Sequence, residues 1–180
     1  MQSPAFCDHC RSLFPADQLS HFELLGIPPT YDVSADTLRQ HYLSVSRGVH
    51  PDRHADVGGA LSVRLSAQLN EAFRVLADPI LRAEYLLELA GGASAATQRD
   101  VPPEVLADTL ELREELQEAR LEDDAARLED CRKRVEAACD DRYEAIADLA
   151  RRLPGDEELW RELRTALNGI KYYQRLRSEF

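Results

Sequence analysis

His50, Pro51 and Asp52 put an imidazole and a carboxylate on either side of a residue that fixes its own backbone, and His54 follows two positions on. Two chemistries are open to such a run. His50, Asp52 and His54 alternate as metal ligands do, which would suit a metal-dependent hydrolase. A catalytic zinc, however, asks for three well-placed protein ligands and an open cavity. The other chemistry is recognition. Pro51 holds the loop in one shape, Asp52 offers a carboxylate to a partner's arginine, and His50 offers a ring donor and acceptor. A turn that merely happens to use proline is the plain alternative.

Cysteines form a second set. Cys7-x-x-Cys10 has metal-ligand spacing, with His9 and His21 as helpers, but a structural zinc needs four ligands. The pair can hold zinc, stand as a bare or redox-active dithiol, or have no role. Haem attachment is excluded, because Arg11 stands where that motif needs His. Cys131 and Cys139 are eight positions apart on one predicted helix, about 12 Å by helical rise. That is too far for a disulfide, and they read as small buried hydrophobes.

The loop at 50–52 needs helices on both sides. Residues 1–19 have no useful period and read as a short arm. Ser20 precedes a helical turn at 22–26 that Gly26 closes, and Pro28 and Pro29 prevent its continuation. Ser34 or Asp36 can cap the next helix. There Leu38, Tyr42, Val45 and Val49 make one apolar stripe, with Arg39, Gln40, His41 and Arg47 on the opposite face. Pro51 disfavours helix at His50, so this helix ends near Val49. A third helix follows Gly58-Gly59 and buries Leu65, Leu69, Ala72, Phe73 and Leu76. Asp78-Pro79 stops it, and a fourth runs from Ile80 to Leu89.

Residues 20–92 thus form one unit and 93–101 a linker candidate. In 102–180 a helix from Pro103 carries Leu106, Leu110 and Leu116. A long one, 122–153, carries Leu128, Val135, Ala138, Ile146 and Leu149, and Pro154-Gly155 breaks it. A last one carries Leu159, Leu163, Leu167 and Ile170. The predicted fold is all-α, with a helical hairpin unit followed by a three-helix bundle.

The formal net charge is −11, which argues against a nucleic-acid partner, since phosphate contacts need a surplus of Lys and Arg. Residues 100–150 hold 17 Asp or Glu against 7 Lys or Arg, nearly all of that excess. No stretch reaches the roughly 18 apolar residues of a membrane span, and the start has no basic-then-apolar signal pattern. The expectation is a cytoplasmic protein with reduced thiols and no membrane partner.

The His50-Pro51-Asp52 motif between two amphipathic helices resembles a J domain, the DnaJ-type module that activates DnaK-type chaperone ATPases. The opening His21-Phe22-Glu23-Leu24-Leu25-Gly26, then Asn70-Glu71-Ala72-Phe73, Asp78-Pro79 and Arg82-Ala83-Glu84-Tyr85-Leu86-Leu87, resemble the HscB-type branch of iron–sulfur cluster assembly. Leu110-Glu111-Leu112-Arg113-Glu114-Glu115-Leu116 extends that likeness into the bundle.

The resemblance implies an L-shaped pairing of J domain and acidic bundle, and a co-chaperone with no catalytic residues or required cofactor of its own. Its partners would be a DnaK/HscA-type chaperone ATPase and an IscU-type iron–sulfur scaffold, with the chain a monomer or weak dimer. His50, Pro51, Asp52, Arg47 and Arg39 would meet the chaperone. Leu106, Leu110, Glu111, Glu114, Lys171 and Tyr172 would meet the scaffold. Ala107 stands where the family commonly has a larger apolar residue. Some relatives carry two cysteine pairs in a zinc-binding extension; Cys7 and Cys10 resemble the second pair alone and are the candidate metal ligands.

Overall fold

The computed structural model describes residues 5–7, 9–10, 12–50, 52, 54 and 59–180. Pro51 lies outside them. Among the described residues the chain forms seven helices: α1 His21–Leu25, α2 Ala35–Val49, α3 Gly59–Ala77, α4 Pro79–Ala90, α5 Pro103–Leu121, α6 Ala125–Arg151 and α7 Glu157–Arg177. The one sheet-like feature among them is an isolated antiparallel bridge between Phe6 and Leu13. The fold is all-α, as the periodicity predicts. Two compact units comprise Met1–Tyr85 and Leu86–Phe180, the division falling inside α4.

In the first unit, caps set the helix limits. Ser20 and Glu23 form a reciprocal capping box on α1: the Glu23 N–H donates to Ser20 Oγ at 3.1 Å and the Ser20 N–H to Glu23 Oε2 at 2.8 Å. Gly26, at φ 66°, closes the turn in a left-handed conformation that L side chains resist. Of the two candidate caps on α2, Ser34 is the one used, accepting from the Thr37 N–H. Asp78 Oδ1 caps α4, taking the N–H groups of Ile80 and Leu81.

α2 and α3 pack side by side. Tyr42 Oη donates to Asn70 Oδ1 at one level and Ser62 Oγ to the Val49 carbonyl at another, so the two helices run antiparallel. Their shared core holds Leu38, Val45 and Val49 against Leu65, Leu69, Ala72 and Leu76, with Phe22 and Leu25 of α1 closing it. A buried leucine of this kind contributes about 1.5–3 kcal/mol over an exposed one. Two predicted core residues sit at the edge instead: Tyr42 and Phe73 are half-buried and lie ring against ring, 4.6 Å apart.

Arg82 on α4 is buried, which lowers its pKa from the ordinary arginine value. It is satisfied by carbonyls. Its Nε donates to Leu76 O at 2.8 Å and its Nη1 to Tyr31 O at 2.6 Å. The cation thereby pins the loop between α1 and α2 to α4, which fixes where α2 begins.

The second unit is a three-helix bundle in which α5, α6 and α7 all touch one another. Asp124 caps α6 and Asp156 caps α7. Ion pairs of Glu115 with Arg134 and of Glu118 with Arg127 align α5 and α6 antiparallel. Val105 against Gly169 and Asp108 against Tyr173 align α5 and α7 parallel. The core includes Val105, Leu112, Leu116, Val135, Cys139, Ile146, Leu163, Leu167 and Ile170. Residues 93–101 are fastened to this unit, since Asn168 Nδ2 donates to the carbonyls of Gln98 and Asp100 at 3.0 and 2.9 Å.

Candidate functional site

The end of α2 carries the His50–Asp52 loop. α2 stops at Val49, and His50 is extended at φ −61°, ψ 131°, as a residue before proline should be. The Asp52 N–H donates to His50 Nδ1 at 3.2 Å, while Asp52 Oδ2 stands 3.7 Å from the same nitrogen. These two contacts exclude each other in their strong forms. A neutral ring accepts the amide through a bare Nδ1; a protonated ring would lose that acceptor to gain a long ion pair. In the neutral ring Nε2 carries the proton. The Asp52 side chain is 89% exposed and that of His50 52%, so both are accessible from solvent.

The loop is held from behind. The hydroxyl of Ser62, fully buried on α3, donates to the Val49 carbonyl at 2.5 Å. His54 Nε2 bonds the Gly48 carbonyl at 2.9 Å. A carbonyl only accepts, so His54 donates through that nitrogen and does not ligate a metal with it. No group of three or more His, Cys, Asp or Glu suited to a metal occurs among the described residues. The alternating His50, Asp52, His54 run is thus built as a braced loop.

Arg39 and Arg47 are exposed on α2, four positions either side of Leu43. Leu43 is 46% exposed, and Arg47 Nε donates to its carbonyl at 3.1 Å. The three make one ridge of cation, apolar side chain and cation leading to the loop. Leu43 escapes a reading by charge and motif; its place between two outward arginines at helical spacing is the signal that finds it. His41, on the predicted polar face, is half-buried and its Nδ1 bonds the Leu25 carbonyl at 2.8 Å, so it ties α2 to α1.

In the second unit the buried row of α5 is Val105, Thr109, Leu112, Leu116 and Ala119. Leu106 and Leu110, at 42% and 57% exposure, lie outside it, and Glu111 and Glu114 are exposed as well. Two leucines and two carboxylates therefore share the outward side of α5. Lys171 and Tyr172 are exposed on α7. The bond from Tyr173 Oη to Asp108 Oδ2, 2.6 Å, sets them at the level of Leu106 and Leu110. Of the predicted leucines on α5, only Leu116 is core.

The N-terminal cysteines sit on a hairpin. The Cys7 N–H donates to Ser12 O at 2.9 Å and the Phe14 N–H to Ala5 O at 2.8 Å. Cys10 Sγ and Ser12 Oγ are 3.2 Å apart. Hydrogen bonding with the Ser12 side chain, then with its backbone, then with the Cys7 thiol lowers the Cys10 pKa to about 7. The described residues do not make up a closed zinc site. Two thiols are half of the four ligands needed; His9 is exposed and His21 stacks on Tyr85 at 4.3 Å. Cys131 and Cys139 are buried, and burial raises both pKa values, as inert packing thiols require.

Comparisons with known proteins divide at nearly the same place as the coordinates. Residues 20–85 match the family model described as DnaJ domain, and residues 101–180 that described as HSCB C-terminal oligomerisation domain. A co-chaperone protein HscB homolog of Azoarcus sp. (strain BH72) is 35% identical over 171 residues, covering 86% of this chain and 97% of that protein. Another, from Bordetella petrii, is 40% identical over 109 residues, 58% of this chain and 63% of its own. Among solved structures, chaperone HscB from Vibrio cholerae superposes with a TM-score of 0.73 at 26% identity, covering 89% of this chain and 94% of its own. The human co-chaperone protein HscB gives 0.82 at 22% identity over 99% and 89%, a likeness of fold.

Proposed function

The chain belongs to the HscB family of J-domain co-chaperones, and we propose that it stimulates ATP hydrolysis by a DnaK/HscA-type chaperone and delivers an IscU-type iron–sulfur scaffold to it. The observation that carries this reading is the presentation of His50 and Asp52. Both are exposed at the end of a helix whose outward ridge is Arg39, Leu43 and Arg47, while Ser62 and His54 hold the backbone behind them. Pro51, outside the described residues, belongs to the same loop by sequence.

The mechanism is one of contact and release. Exposed ion pairs contribute only about 0.2–1 kcal/mol each, so Arg39, Arg47 and Asp52 set the speed and selectivity of encounter more than its strength. Leu43 adds apolar area at the centre of the ridge. A brief contact suits a protein that must leave after each ATPase cycle. Delivery falls to Leu106, Leu110, Glu111 and Glu114 on α5 with Lys171 and Tyr172 on α7. Leucines that the bundle leaves outside its core are available for a partner, and the carboxylates beside them select a basic one. Each unit so has its own task, residues 20–92 triggering hydrolysis and residues 102–180 carrying the client. The whole acts in the cytoplasm as a monomer or weak dimer.

Steady-state ATP hydrolysis by the cognate chaperone, with and without this protein and the scaffold, tests both halves. Synergistic stimulation by both, abolished in Asp52→Asn with helical circular dichroism unchanged, is expected. Leu110→Ala should keep stimulation by the J-domain unit and lose the scaffold's share. Stimulation indifferent to any scaffold would leave a general folding co-chaperone. No stimulation at all would overturn the reading.

A further inference from the structure

The hairpin that carries Cys7 and Cys10 bears directly on the recognition loop. Ala5 is fully buried and Phe6 is 8% exposed. The Phe6 ring lies on the bare backbone of Gly48, where a Cβ would overlap three of its carbons. Gly48 is two residues before His50. The last turn of α2 is thus gripped in three ways: by Ser62 at Val49, by His54 at the Gly48 carbonyl and by Phe6 on Gly48. The third grip is the most easily lost. Among the described residues the limbs of the hairpin are joined by the bonds from Cys7 N–H to Ser12 O and from Phe14 N–H to Ala5 O and by one bridged pair, and isolated two-stranded hairpins are marginal in water. Ser12 gathers both cysteines, its carbonyl accepting from the Cys7 N–H at 2.9 Å and its hydroxyl standing 3.2 Å from Cys10 Sγ, with Cys10 exposed and Cys7 half-buried.

We propose that Cys7 and Cys10 are a reversible disulfide site that fastens this hairpin and, through Phe6 on Gly48, steadies the His50–Asp52 loop. The consequence for hydrolysis rests on the function proposed above; the disulfide and the brace do not. The oxidant is a small-molecule disulfide. Cys10 Sγ gives its proton to solvent and attacks one sulfur, forming a mixed disulfide; the displaced thiolate takes up a proton. Cys7 Sγ then loses its proton and attacks Cys10 Sγ. The Cys7–Cys10 bond forms and the second small thiol leaves with a proton. The protein dithiol loses two electrons, and one disulfide becomes two thiols. Closing the turn covalently removes open conformations of the hairpin, so the oxidised form keeps Phe6 seated and the reduced form releases it more often.

The test uses the full chain equilibrated with excess oxidised or reduced glutathione. Mass spectrometry should find two hydrogens lost on oxidation, and none lost in a Cys7→Ser, Cys10→Ser double variant. Amide exchange at Gly48 and Val49 should slow by about threefold or more in the oxidised form, and chaperone ATPase stimulation should rise in parallel. Phe6→Ala should still oxidise but show no exchange difference between the two forms, which separates the brace from general folding. The proposal is overturned if no disulfide forms, if it forms without changing exchange at α2, or if stoichiometric zinc on the purified chain protects both thiols. An exchange difference with no stimulation in either form would uphold the brace and overturn the ATPase reading instead.

Discussion

Ser62 is polar, fully buried and bonded to a carbonyl on another helix. A helix-terminal carbonyl has no partner inside its own helix, so this hydroxyl satisfies a group that Pro51 prevents the chain from satisfying locally. Ser62→Ala removes the donor and strands the Val49 carbonyl. The expected cost is about 1–2 kcal/mol of stability, read by urea unfolding. ATPase stimulation should fall further than global stability explains, because the unfastened carbonyl is next to His50. A variant equally active when fully folded would show that Ser62 only packs. Such residues are hidden from sequence reading for one reason. His50 and Asp52 announce themselves by adjacency, whereas Ser62 acts across 13 positions, Arg82 across 51 and Asn168 across 70, and no local period records such pairings.

Helices with one apolar row are legible, and helices with two are not. α2 ends at Val49, as Pro51 predicts, and its row Leu38, Val45, Val49 is the core, as predicted. α5 offers two rows, Leu106–Leu110 and Leu112–Leu116, and neither spacing nor composition says which is buried. α7 decides it, by placing Gly169 on Val105 and Tyr173 on Asp108. Tyr173 is the seam between those helices, buried to 1% exposure. Burial, then the bond to Asp108, raises its phenol pKa above the ordinary value of 10.0. A raised folded pKa means the contribution is complete below the unfolded value and is lost as pH rises through the folded one. At about pH 8, Tyr173→Phe should cost about 1 kcal/mol. Above about pH 10 the wild type alone loses this contribution, so the gap between the two should close. Urea unfolding at both pH values measures it; an unchanged gap would mean that folding does not shift the phenol pKa.

Charge is a property of the whole molecule, and it is unevenly placed. Residues 100–150 hold 17 acidic against 7 basic residues. Five of those carboxylates are consumed internally: Arg127 pairs with Glu118 and Glu122, Arg132 with Glu129 and Glu136, and Arg134 with Glu115. Glu111 and Glu114 make no ion pair among the described residues and stand on the outward side of α5 with Leu106 and Leu110. Carboxylate and leucine should then act on different steps of client binding. Long-range attraction speeds encounter and is screened within about 10 Å at 0.1 M salt, whereas buried apolar contact governs how long a complex lasts. Raising salt from about 0.05 to about 0.5 M should slow association with a basic-faced scaffold by about tenfold and leave dissociation nearly unchanged. Leu110→Ala should do the converse, speeding dissociation at constant association rate. Surface plasmon resonance separates the two rates. Association indifferent to salt would remove the steering role from Glu111 and Glu114 and leave the patch purely apolar, with the acidic excess serving only the bundle's own arginines.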